Sequence, residues 1–437
     1  MSADVASVPL AERFRRSNPL PEGTLSVGVG LLANGIGAYV FTVLAARSLG
    51  EEQFSSLAVL WAVAFLAAPG LFLPFEQEVS RTVAGRRARN EGSSGVVRQA
   101  AMLGAGLLGV VVVITLLAEP WIYDLFFDEQ ALLLVGFLLA LGGYCMAHLL
   151  RGILAGQGRF SGYALYFGTE GALRVLVGVG FLVLGVATAG PYGLTVGIVP
   201  FIAVAVVLIP QRRLVEPGPA VRTGELTASL GALLAGSMLT ALLLNAGPLA
   251  IEILASPEES AEAGRFLAGL LIARIPLFLF QAVQAALLPK LALLAAGQRW
   301  TEFTAALRKL LVAVLGLGIT ATLAAWSVGP TLVRVTFGEA FALGNRDLGL
   351  LALSSATFML AVALGQSLIA LASPTRMAVG WATGVAVFVV VTAAGDDLYL
   401  RVELGLVAGT AAVATVLGIM LAMRLRELKS SVTRRAS

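Results

Sequence analysis

Between Thr24 and Met423 the chain divides into twelve apolar runs, each long enough to cross a bilayer, and this constrains the fold more than any other feature. A helix rises 1.5 Å per residue, so about 20 apolar residues span the hydrocarbon layer. The runs fall at 24–46, 54–74, 97–118, 131–150, 161–186, 192–210, 227–251, 266–288, 309–329, 347–370, 377–394 and 403–423. Charged residues make up only 13% of the 437, about half the share of a soluble domain. The ten-residue alternating segments of a membrane β-barrel are missing. The expected fold is all-α: a polytopic integral membrane protein of about 12 transmembrane helices. Several connections are very short, which implies antiparallel neighbours in one packed bundle.

Orientation follows from Lys and Arg, which favour the cytoplasmic side. With the N-terminus inside, 23 of the 30 basic residues fall on inner segments and five on outer ones (Arg47, Arg265, Arg334, Arg346, Arg401). Arg174 and Arg274 lie within spans. The expectation is cytoplasmic N- and C-termini. Residues 1–23 form a polar N-terminal segment with Arg13, Arg15 and Arg16; no signal peptide is read there, and Ser17 or Asn18 would cap a short interfacial helix.

The polar, proline-bearing stretch at 211–226 is the best internal boundary. It separates an N-lobe at 24–210 (spans one to six) from a C-lobe at 227–423 (spans seven to twelve), followed by a basic tail at 424–437. An even number of spans per half sends both halves into the membrane in the same direction. Two such six-helix lobes can be related by an axis along the membrane normal, around a central cavity. The glycine pairs Gly193/Gly197, Gly380/Gly384 and Gly405/Gly409 read as close helix packing.

Polar groups at depth are the candidate site. A cation at the bilayer centre costs roughly 2.5–3.5 kcal/mol, so it faces protein or a water-filled cavity. Arg274 sits in the eighth run with Pro276 beside it. Gln281, seven residues on, returns to its face, and Gln284 lies at the edge of that stripe. In the fifth run Tyr163, Tyr166, Glu170 and Arg174 share one helix face, and Glu170 and Arg174 can pair at i,i+4. That pair reads either as a structural brace or as a lumen-facing anion or titratable site. Two guanidiniums facing one cavity would suit a phosphate or diphosphate, which Arg binds bidentately. Asn34 and Asn245 are weaker cues, suited to bonds across helices. His148 and Arg151 read as an interfacial anchor, and Glu76, Glu78 and Arg81 as a solvated helix end. One cysteine (Cys145) and one histidine exclude a disulfide within the chain and any Cys- or His-cluster metal site. No phosphate loop, nucleophile elbow or zinc-protease motif is present, so neither an enzyme nor a built-in ATPase is expected, and no cofactor. Nothing here is patterned for nucleic acid.

Two stretches carry a family resemblance. The junction Tyr39–Ala62 (YVFTVLAARSLGEEQFSSLAVLWA) and the segment Leu73–Arg89 (LPFEQEVSRTVAGRRAR) resemble the polysaccharide-flippase (Wzx-like) branch of the multidrug/oligosaccharidyl-lipid/polysaccharide exporter superfamily, as does the 6+6 layout with a proline- and arginine-bearing eighth span. The resemblance implies a lumen between two lobes that opens alternately to each side of a bacterial plasma membrane. The cargo it implies is a lipid-linked oligosaccharide on a polyprenyl diphosphate, moved by an H+ or Na+ gradient or by the membrane potential. Arg174 and Arg274 would then hold the diphosphate, Tyr163 and Tyr166 would stack on sugar rings, and Arg47 would stand at the outer mouth. Membrane lipids and a polysaccharide polymerase or glycosyltransferase are the implied partners. A multidrug antiporter of the same superfamily, a non-transporting envelope-assembly protein and a major-facilitator symporter stay open as alternatives.

Overall fold

A computed structural model describes residues 23–119, 130–211, 214–219, 223–254, 260–337, 339 and 342–436. The expected capping residues Ser17 and Asn18 lie outside them. The described chain is helical: α1 (Thr24–Ala88), α2 (Ser94–Leu117), α3 (Ala131–Gly156), α4 (Phe160–Leu184), α5 (Ala189–Leu208), α6 (Thr223–Leu254), α7 (Ser260–Ala273), α8 (Ile275–Ala296), α9 (Trp300–Phe337), α10 (Asn345–Ala370), α11 (Pro374–Ala393) and α12 (Leu398–Ala436). Twelve segments within these elements are long and apolar enough to cross a membrane.

Helices and spans do not correspond one to one. Helix α1 holds two spans, Thr24–Leu49 and Val59–Ala88. It doubles back between them: the rings of Phe41 and Trp61 stack 6.0 Å apart, whereas twenty residues of straight helix would separate them by about 30 Å. The eighth run also differs from expectation. A single helix over 266–288 is replaced by α7 and α8, which break at Arg274 (φ −92°, ψ −2°), with Pro276 in the first turn of α8. Proline lacks the N–H that would continue the ladder, and its ring crowds the preceding turn. The last span's helix runs on to Ala436, so the basic stretch from Arg424 continues α12 and is no separate tail.

Two hydrophobic cores define two lobes. One gathers α1 to α5 around Phe41, Leu60, Phe72, Tyr166 and Tyr192. The other gathers α6 to α12 around Phe266, Phe280, Phe303, Met359 and Leu417. Large apolar side chains that belong to neither core, such as Val312, Ile319, Leu323 and Trp326 on α9, are exposed and form the lipid-facing surface. The chain is thus an all-α membrane protein with two six-span lobes.

The equivalence of the lobes is visible in their turns. The chain reverses after spans two and four at Asn90 (φ 56°) and Gly158 (φ 72°), and after spans eight and ten at Gln298 (φ 55°) and Ala372 (φ 53°). These are corresponding positions in a six-span repeat, and each uses one left-handed residue to close its helix. The glycine pairs bring helices together within each lobe. A Cβ on Gly197 would lie 2.6 Å from the Gly136 carbonyl of α3, and one on Gly384 would lie 2.8 Å from the Gly409 carbonyl of α12.

The lobes meet at the end of the bundle that carries the interlobe linker. Cβ atoms on Gly85 and Gly28 of α1 would touch Ala296 and Ala282 of α8, at 3.6 and 3.4 Å. Nearer mid-depth, Ser237 Oγ of α6 donates to the Gly70 carbonyl of α1 at 3.2 Å. The linker is tied to the N-lobe: the Ser93 and Ser94 N–H groups donate to the Glu216 carbonyl at 3.1 and 3.0 Å, and Arg86 donates to the carbonyls of Gly92 and Pro219.

Candidate functional site

The N-lobe encloses two polar clusters of the same composition, each an arginine, a glutamate and a tyrosine. Helix α3 supplies Tyr144, His148 and Arg151 at i, i+4 and i+7, one face of the helix. Helix α4 supplies Tyr163, Tyr166, Glu170 and Arg174 along its own inward face. Helix α1 supplies Asn34 from its first span and Glu76 from its second.

In the first cluster Arg174 Nη2 donates to Glu170 Oε1 at 2.5 Å and to the Tyr144 hydroxyl at 2.6 Å, and Tyr144 donates to the same carboxylate oxygen at 2.9 Å. Arg174 Nη1 reaches Asn34 Oδ1 at 3.4 Å. Its guanidinium also lies against the rings of Trp61 and Phe65, 5.1 and 5.4 Å from their centres. In the second cluster Glu76 accepts from Arg151 at 2.7 and 3.0 Å and from the Tyr163 hydroxyl at 2.6 Å, with His148 Nδ1 at 2.9 Å. Arg151 stands 5.0 to 5.9 Å from the ring centres of Phe167, Tyr166 and Tyr163. Small residues make both clusters possible. A Cβ on Gly171 would lie 2.8 Å from Asn34 Cα, and one on Gly152 would lie 2.8 Å from the Glu76 carbonyl, so any larger residue would push α1 away.

Several expectations change here. His148, Arg151 and Glu76 are buried in this cluster, and so form neither an interfacial anchor nor a solvated helix end. Glu76 at 7% exposure needs partners, and Arg151 and His148 are within reach because α1 and α3 cross at Gly152. Arg174 is 0% exposed and Glu170 1%, so Arg174 does not share a cavity with Arg274. Its two terminal nitrogens bond to Glu170, Tyr144 and Asn34, and only Nε is left without a partner. Tyr163 and Tyr166 are likewise enclosed, with Arg151 and Phe167 against their rings, so no ring face is free in this conformation to stack on a sugar. Asn34 is half-buried as a partner of Arg174. Arg47 is exposed near the end of its span, away from both clusters.

Arg274 lies in the other lobe. Among the described residues no carboxylate pairs with it; its Nη2 donates to the Leu244 carbonyl of α6. It borders a narrow pocket whose other polar groups are the hydroxyls of Ser354 and Ser355 on α10 and Thr410 on α12. Gln281 is exposed and Gln284 half-buried on α8, flanking Ala282 and Ala285, which pack into the N-lobe core. The two glutamines therefore border the seam between lobes, while Arg274, beyond the helix break, turns into the C-lobe. The sequence reading missed Tyr144 and the three C-lobe hydroxyls. Tyr144 was detectable, since it stands four residues before His148 on one face of an apolar helix.

No family model matches the chain. The uncharacterized protein Rv3630 of Mycobacterium tuberculosis is 27% identical over 86% of this chain and 87% of its own length. A second uncharacterized protein of that organism, Rv1510, is 26% identical over 84% of each. Among solved structures, a variant of the Vibrio cholerae MATE transporter VcmN superposes with a TM-score of 0.80 at 13% identity, over 93% of this chain and 96% of that one. A MATE in its bent conformation gives 0.76 at 16% identity over 93% and 95%. An outward-facing multidrug resistance MATE family transporter of the MOP superfamily gives 0.73 at 14% identity over 96% and 98%. The likeness is one of fold: the chain has the two-lobed, twelve-span architecture of the MATE transporters.

Proposed function

We propose that the protein is a transporter of the bacterial plasma membrane. It moves a lipid-linked oligosaccharide on a polyprenyl diphosphate from the inner to the outer leaflet by alternating access of its two lobes, driven by an ion gradient or the membrane potential. The observation that carries this reading is Arg274. Glu76 and Glu170 each have an arginine partner, so the N-lobe clusters are balanced. Arg274 has no carboxylate partner among the described residues and stands beside three hydroxyls, at the bend between α7 and α8. An uncompensated cation in an apolar lobe attracts an anion, and a planar guanidinium fits phosphate oxygens. A cationic drug would call for an acid at that place. Arg174 leaves the proposed ligand set and becomes part of the N-lobe frame, with Glu170, Tyr163, Tyr166 and Asn34. Gln281 and Gln284 remain candidates to meet sugar hydroxyls along the seam, and Arg47 to meet the diphosphate on release.

The test replaces Arg274 with Ala and separately with Lys, and follows export of surface glycan with protein abundance held under immunoblot. Loss of one charge-assisted hydrogen bond, about 1.5–3 kcal/mol, lowers export tenfold to a hundredfold in R274A. R274K keeps the charge without the fork and falls in between. Unchanged export in both would remove the anion site, and loss of the protein itself would make Arg274 structural.

A further inference from the structure

Glu403, in the second turn of α12, is 0% exposed, and neither carboxylate oxygen has a hydrogen-bond partner. The other buried glutamates whose bonds are described above have arginine and tyrosine partners. Helix α12 packs against α6, α10 and α11. From α10 the charged groups facing Glu403 are Arg346 and Asp347, already paired to each other at 2.8 Å; at the head of α12 it is Asp397, whose carboxylate accepts from the Leu400 N–H. The described side chains of α6 and α11 bring no charged group to this level; Thr392 is the polar residue of α11 there. A hollow of about 320 Å³, lined by Asp396, Asp397, Leu400, Arg401 and Leu404 among others, opens beside the same turn. Leu406 and Thr410, three and seven residues on along one face of α12, line the Arg274 pocket. Glu403 therefore stands between that pocket and the end of the bundle opposite the linker.

We propose that Glu403 is a proton-binding site that couples opening of this end of the C-lobe to proton release. A bare carboxylate without partners is costly in an apolar interior, and an O–H on the carboxyl removes the cost. Among the described residues no three His, Cys, Asp or Glu side chains come together closely enough to hold a metal ion, and hard cations need several oxygen ligands. When the end of the lobe opens, the hollow brings water to Glu403. The O–H bond then breaks, the proton passes to water, and the carboxylate gains the solvation that the closed lobe denies it. Reclosing requires a proton to return. This deepens the reading of the chain as a gradient-driven transporter, on which it rests.

The experiment uses the full chain in lipid nanodiscs and needs no cargo. At neutral pH the infrared spectrum of the wild type carries a protonated-carboxyl band that E403Q lacks and E403D shifts. In a C145A background, a cysteine at Val402, buried beside Glu403, is labelled by a maleimide several-fold faster as pH rises, beyond the rise in thiolate fraction shown by a cysteine at the exposed Leu404, and E403Q removes that excess. A spectrum that neither variant changes, or an excess labelling rise that survives E403Q, would overturn the proposal. Because E403D retains a carboxyl, the infrared comparison decides the matter even where E403Q does not fold. Loss of glycan export by R274A is read separately, so the anion site and the proton site fail independently.

Discussion

At the residue scale, the N-lobe is braced by two buried ion pairs, Arg174 with Glu170 and Arg151 with Glu76. Spacing alone placed Glu170 and Arg174 on one face and allowed them to bond, and they do so at 2.5 Å. Spacing could not show that Tyr144 and Asn34 would complete the cluster, because both come from other helices. Nor could it show that Glu76, at an apparent helix end, would be held inside by Arg151, 75 residues away. Such pairing has an energetic signature. Removing one partner of a buried ion pair leaves the other charge uncompensated, at a cost of about 3–5 kcal/mol. Glu170→Gln and Arg174→Gln are each expected to lower stability on that scale. The double variant, with both charges gone, should cost well under the sum of the two. A double-mutant cycle on chemical unfolding in detergent measures the coupling. Strictly additive costs would mean that the pair does not act as a unit and that the N-lobe frame is held by packing.

At the element scale, hydropathy located the spans because the bilayer imposes a length, and the boundaries agree within a few residues for most of them. The exceptions are local. A hydropathy window registers apolar content and is blind to a break, so the bend between α7 and α8 was invisible, although Arg274 and Pro276 marked the place. The left-handed turn residues were hard to read too, since only one of the four at the linker end is glycine. Ala372 holds φ 53° with a Cβ, where the left-handed conformation costs roughly 1–2 kcal/mol. Ala372→Gly is therefore expected to raise the midpoint of thermal unfolding. Gly158→Ala, at φ 72° and with a Cβ 2.7 Å from Arg87 Nη1, is expected to lower it by a comparable amount. The pair of substitutions tests one device at two equivalent turns, one in each lobe. Equal shifts of the same sign would refute the account of how these turns close.

At the scale of the whole molecule, the proline-bearing linker and the even span count disclosed two lobes, but which end they share depends on contacts distant in sequence. Those contacts gather toward the linker end, where α1 meets α8 and the linker lies strapped to the turn after span two. Alternating access, as proposed above, requires this seam to part in the other state. Residues there should thus tolerate substitution but not cross-linking. Gly85 and Ala296 suit the test, because their Cβ atoms would stand 3.6 Å apart, within the range of about 3.5–4.5 Å that a disulfide spans. With Cys145 replaced by alanine, G85C/A296C is expected to form a bond under oxidation that holds the lobes together at this end. On the proposed function, glycan export should then fall to background, return on reduction, and stay near wild type in either single-cysteine variant. Export that persists with the bond fully formed would mean that the seam never opens, and the moving parts would have to be sought within a lobe, between α7 and α8, where the chain already bends.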